Sequence, residues 1–171
     1  MKKIIVFAGF LILTMAIIFP VQAFTADSLY IAVLPSGNAQ IQFNYSLNWV
    51  ENIAVFIRIA DPAKELQHAL ESNLNRPVTV DRITSNSVSL TVMNFAMKSL
   101  DDRGTTLTTP PLSFAAADQI LKQYWFAPLV NPDFSPDKTI ISYPDGYKET
   151  FSNLDSIPET RHIIPITIGN T

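Results

Sequence analysis

Between Ala39 and Leu47 the chain alternates with period two: Ile41, Phe43, Tyr45 and Leu47 are interleaved with Gln40, Gln42, Asn44 and Ser46. Successive side chains of a strand point to opposite faces, so this pattern reads as a β-strand with one face on a core and the other in water. Leu29-Tyr30-Ile31-Ala32-Val33-Leu34 before it has strand composition, and Pro35-Ser36-Gly37-Asn38 is a turn cluster. The two runs predict a hairpin. A hairpin with one apolar face needs further elements to cover that face, and the rest of the chain is read for them.

Trp49 to Ala60 suits two structures. Ile53, Val55, Ile57 and Ile59 alternate as in a β-branched strand, while Trp49, Ile53, Phe56 and Ile57 would share one side of a helix. The strand is favoured, because Asp61-Pro62 supplies an N-cap and a first helical turn just afterwards. A helix is expected from Pro62 to about Asn73, with an apolar stripe of Leu66, Ala69, Leu70 and Leu74 and with His68 facing out. Arg76-Pro77 closes it. Val78 to Ile83 and a return through Val88, Leu90 and Val92 to Phe95 and Met97 predict a second hairpin. Lys98 to Pro111 reads as a polar loop. Ser113 is placed to cap a second helix, Phe114 to about Phe126, and Ala127 to Lys138 is a Pro-punctuated connector. Thr139–Tyr143 and Tyr147–Phe151 flank Pro144-Asp145-Gly146, a strong hairpin signal. The tail from Ser156 alternates Pro with Ile and suits a surface segment or an edge strand. The sum predicts an α+β fold: a largely antiparallel β-sheet built from hairpins, two helices packed on one face, and a single domain over 24–171.

Residues 1–23 are read apart from that domain. Lys2 and Lys3 precede an apolar run, Ile4 to Phe19, and Val21-Gln22-Ala23 follows Pro20 with compact residues where a signal peptidase reads. This is the pattern of a cleaved signal peptide. The alternative is an uncleaved anchor, for which a run of 16 residues, broken by Gly9 and Thr14, is short of the roughly 20 that cross a hydrocarbon core. The expectation is an extracytoplasmic protein of the cell envelope, touching a membrane only through Met1–Phe19 if that segment is retained.

Composition narrows the chemistry. Two of the 12 Lys and Arg lie in the leader, leaving ten against 15 Asp and Glu, a balance of −5. Nucleic acid is therefore not an expected partner, since its binding surfaces are basic. Cysteine is absent, so disulfides, thiol catalysis and thiolate metal sites are ruled out. An exported chain without disulfides and with so short a leader is read as prokaryotic. No Gly-rich loop opens a helix, and no cofactor is expected. There is no Gly-x-Ser-x-Gly elbow, so catalysis would rest on His68 or His162 meeting carboxylates. Asn131, Asp133, Ser135 and Asp137 set oxygen-bearing side chains at alternate positions, as a calcium loop could, but the glycine and closing glutamate of an EF-hand are missing. Aromatic residues crowd the C-terminal third. Tyr124, Trp125, Tyr143 and Tyr147 are the candidate ligand contacts among them, with core packing as the alternative. The reading that results is a non-catalytic exported domain binding a protein or a glycan at the envelope. Its alternatives are an extracytoplasmic hydrolase built on His162 or His68, and a self-associating structural envelope component.

Overall fold

The structure, a computed structural model, describes residues 24–47, 62–115 and 134–166. Among the described residues there are eleven strands and one helix: β1 (Phe24–Val33), β2 (Ala39–Leu47), α1 (Pro62–Leu74), β3 (Val78–Ile83), β4 (Ser87–Val92), β5 (Met97–Asp101), β6 (Gly104–Thr109), β7 (Leu112–Ser113), β8 (Lys138–Ser142), β9 (Lys148–Ser152), β10 (Ser156–Ile157) and β11 (Thr160–Pro165). Six strands form the main sheet in the order β3-β4-β2-β1-β8-β9. A three-stranded sheet runs β11-β6-β5, and β10 pairs with β7.

The β1–β2 hairpin holds the register that the alternation dictates, with Ile31 opposite Ile41 and Val33 opposite Ala39. β1 then becomes the pivot. It takes β2 antiparallel on one side and β8 parallel on the other, Ile31 opposite Ile141. That is the one parallel pair among the described strands. Leu29, Ile31, Val33, Val88, Leu90, Val92 and Ile141 fill the core of the large sheet, and Leu107 of β6 and Ile157 of β10 are buried in the same cluster. All three sheets therefore share one core.

The α+β expectation is corrected: the described chain is mostly β-sheet, with a single helix instead of two on a sheet face. The helical stripe is real but small. Leu66, Leu70 and Leu74 are half-buried, and α1 makes its main contact with β3, so it covers the end of the sheet without forming a layer. Asn75, in the left-handed region at φ 51°, ends it. The Glu71 carboxylate accepts from the Val78 N–H at 3.1 Å, and Arg76 donates to the Phe95 carbonyl at 2.6 Å, fixing helix to sheet. The second expected helix, apart from Phe114 and Ala115, lies outside the described residues, as does Trp49 to Ala60. Ser113, expected as its cap, instead pairs with Ser156 in the β7–β10 ladder.

The other correction concerns Lys98 to Pro111, expected as a loop. It is the β5–β6 hairpin, closed by the two residues Asp102 and Arg103. Strand β6 reads Gly-Thr-Thr-Leu-Thr-Thr, so it has no apolar alternation to reveal it, yet Thr106, Leu107 and Thr109 are all buried. Threonine is β-branched and suits a strand, but its hydroxyl hides the burial from a hydrophobicity pattern. The return strand through Val88, Leu90 and Val92 also stops earlier than expected: Asn94, at φ 52°, turns the chain, and Met97 opens β5.

Candidate functional site

The Pro144-Asp145-Gly146 turn gathers Tyr143, Asp145, Tyr147 and His162 into one cluster. Gly146, at φ 90°, takes a conformation that side chains disfavour, and its N–H donates to the Tyr143 carbonyl at 2.9 Å. Tyr147 returns to pair with Tyr143, and its N–H binds Asp145 Oδ1 at 3.1 Å. The second carboxylate oxygen is left to face β11, where it lies 2.7 Å from His162 Nε2. The imidazole is stacked on Tyr147, with centroids 4.2 Å apart and planes 6° from parallel, and is flanked by Tyr143 at 4.8 Å. The His162 hydrogen bond is the largest of the effects holding the Asp145 carboxyl below its ordinary value.

Behind the rings runs a buried line of hydroxyls. The Tyr143 hydroxyl meets Thr160 Oγ1 at 2.6 Å, and Thr160 Oγ1 meets Thr109 Oγ1 at 2.8 Å. Burial pushes the Tyr143 phenol up, against the lowering from its Thr160 hydrogen bond, so the group stays neutral. The line crosses from the β8–β9 hairpin through β11 to β6. Sequence reasoning singled out His162, Tyr143 and Tyr147 but missed Asp145, Thr160 and Thr109. Asp-Gly was legible as a turn, and nothing in the sequence said which strand its carboxylate would meet.

As chemistry, this arrangement holds strands together. Among the described residues Asp145 is the one hydrogen-bond partner of the His162 imidazole, Tyr147 covers one ring face, and the His162 side chain is only 17 % exposed. A general base needs a nucleophile or substrate proton within hydrogen-bond reach, and no described hydroxyl bonds the ring. His68 lies elsewhere, on the outer side of α1, 4.0 Å from Glu71. Of the four candidate ligand aromatics, Tyr143 is buried, Tyr147 is 47 % exposed, and Tyr124 and Trp125 lie outside the described residues.

The other end of the β8–β9 hairpin borders a shallow open hollow of about 440 Å³, lined by Ser135, Asp137, Asn153, Leu154 and Asp155. Two of the four calcium-loop candidates, Ser135 and Asp137, reach it. Asn131 and Asp133 lie outside the described residues. Among the described residues no three His, Asp or Glu side chains are grouped as metal ligands.

A third feature lies on β5. All five of its residues are exposed, with Met97 at 70 % and Leu100 at 72 %, and Met93 just before it is exposed too. β5 is the end strand of its sheet, so one side of its backbone meets no described strand. A two-residue loop closes on a hydrogen-bonded pair, here Asp101 with Gly104. Asp101, Ser99 and Met97 therefore direct their N–H and C=O groups to β6, and Lys98 and Leu100 direct theirs outward. The other ends differ: β9, the far end of the large sheet, meets no described strand beyond β8 but exposes only the polar Lys148, Thr150 and Ser152, and β7 and β10 are two residues long. β3 carries a bulge at Asp81 and meets α1, while β11 closes on Pro165, which has no N–H.

The described fold is thus a cysteine-free, mostly antiparallel β domain with a locked aromatic–imidazole cluster and one open, apolar-flanked edge. Set against known protein families, curated proteins and solved structures, the chain matches none. Among the described residues no helix is long and apolar enough to cross a membrane.

Proposed function

We propose that this is an exported, non-catalytic domain of the cell envelope that binds a protein partner by strand addition along β5. The observation that carries the reading is the outer edge of β5, where main-chain groups at Lys98 and Leu100 that meet no described strand lie beside exposed Leu100 and Met97. Folded proteins generally cover, charge or bend such an edge unless it is used, and extended segments recognise it through main-chain hydrogen bonds. Export is supported by the basic start, apolar run and small-residue boundary over Met1–Ala23. A protein is favoured over a glycan because, among the described residues, Tyr147 is the one exposed aromatic ring and its inner face is already on His162. The hydrolase alternative draws no support from His162, whose imidazole is engaged by Asp145 and Tyr147.

The test is a photo-crosslinking side chain placed at Leu100 in the full chain, activated in the envelope fraction of the producing cell. The expected result is a discrete protein adduct at position 100 and none from the same group at His68. No protein adduct at position 100 would overturn the reading.

A further inference from the structure

We propose that the strand added to β5 is β5 of a second copy of this chain, antiparallel about a twofold axis through Ser99. The inference rests on reading β5 as the contact strand and names its occupant. In this register Lys98 stands opposite Leu100 of the copy, and Leu100 opposite the copy's Lys98. These are the residues whose N–H and C=O groups face outward, so the two pairs exchange four main-chain hydrogen bonds. Ser99 meets Ser99 at the axis, in a position without hydrogen bonds, where strands approach most closely and a small side chain fits. Met97 stands opposite Asp101.

The side chains agree with this register and disfavour its neighbours. No like charges are directly opposed. The Lys98 ammonium donates to the Pro35 carbonyl of its own molecule at 3.0 Å, which draws the charge aside and leaves the aliphatic stem beside the copy's Leu100. Asp101 is held by Arg103 at 3.1 Å. A two-residue slip one way sets Lys98 on Lys98. The opposite slip runs Lys98 onto Asp102 in the turn and loses half of the hydrogen bonds. Met97 and Leu100 lie on opposite faces of β5, so the axis sets each Leu100 beside the other copy's Lys98 stem on one face and each Met97 beside the other copy's Asp101 on the other. A strand of five residues spans only about 17 Å, and so small a seam gives a weak, concentration-dependent dimer.

Two measurements test this. Sedimentation of the purified chain over a wide concentration range is expected to show reversible monomer–dimer exchange. Leu100→Pro removes an outward N–H without touching the β6 ladder, and Leu100→Lys sets two lysines opposite each other. Each is expected to weaken the dimer by at least about tenfold while the circular dichroism stays that of the parent. In a chain with no other cysteine, Ser99→Cys is expected to cross-link to a disulfide dimer under mild oxidation, and faster than Met93→Cys. A chain that stays monomeric at every concentration overturns the inference. So does a dimer that survives both Leu100 variants, or a Ser99→Cys chain that cross-links no faster than Met93→Cys. If the photo-crosslinker at Leu100 captures a different protein and never a second copy, this inference fails while the strand-addition reading stands.

Discussion

Two buried threonines on one strand face opposite circumstances. Thr109 shares a hydrogen bond with Thr160, which also meets the Tyr143 hydroxyl, whereas the Thr106 hydroxyl is buried with no partner among the described residues. Removing the middle of a satisfied line strands its neighbours; removing an unpaired group relieves a desolvation cost. Thr160→Val is therefore expected to destabilise the fold by about 1–3 kcal/mol, and Thr106→Val to leave stability unchanged or raise it by up to about 1 kcal/mol, both read from urea midpoints. The turn carboxylate gives a pH signature. Asp145 is held below its ordinary value of 3.8 chiefly by His162, so its contribution is full above 3.8 and is lost as pH falls through the lowered folded value. The stability difference between the parent and Asp145→Asn should accordingly shrink in acid below 3.8 and hold steady above it. A difference that stays constant through that window would show that the hydrogen bond does not tune the carboxyl.

At the scale of elements, the junction of β6 with β11 depends on one residue without a side chain. Gly104 sits at φ 145°, and a Cβ there would collide with the Ile164 carbonyl across the ladder. Its partner Pro165 has no N–H to give, and the pairing places it at a position that needs none. Gly104→Ala should lower stability by about 1–3 kcal/mol and strip hydrogen-exchange protection from β11 first, while β1 and β2 keep theirs. Parts of this layout are legible in the sequence. The β1–β2 hairpin is, because Ile41, Phe43 and Tyr45 lie on its inner side and polar residues on the other. The β8–β9 hairpin is, because Asp145-Gly146 marks its turn. The β5–β6 hairpin is not, since threonines occupy both faces of β6 and β5 buries nothing. Asp102-Arg103 before Gly104 was the available signal, a two-residue turn hidden in what reads as a solvated charge cluster. The candidate site was half legible for the same reason: aromatic rings and histidine announce themselves, but hydroxyl partners brought from β6 and β11 depend on pairing that no local pattern encodes.

Across the whole molecule, a chain without cysteine depends on its shared core. Ile141 lies between β1 and β9 and is 1 % exposed, so Ile141→Ala should cost about 2–5 kcal/mol and loosen the large sheet and the β10–β11 region together. The same sheet assembly leaves the β5 edge without a described strand partner and flanked by exposed apolar side chains, and on that edge rests the account of what the protein does. The most direct measurement is amide hydrogen exchange at Lys98 and Leu100 as the concentration of the chain is raised. The account predicts that these two amides exchange freely when dilute and become protected when concentrated, while those of Ser99 and Asp101, bonded to β6, are protected throughout. Lys98 and Leu100 amides that exchange equally fast at every concentration would contradict it.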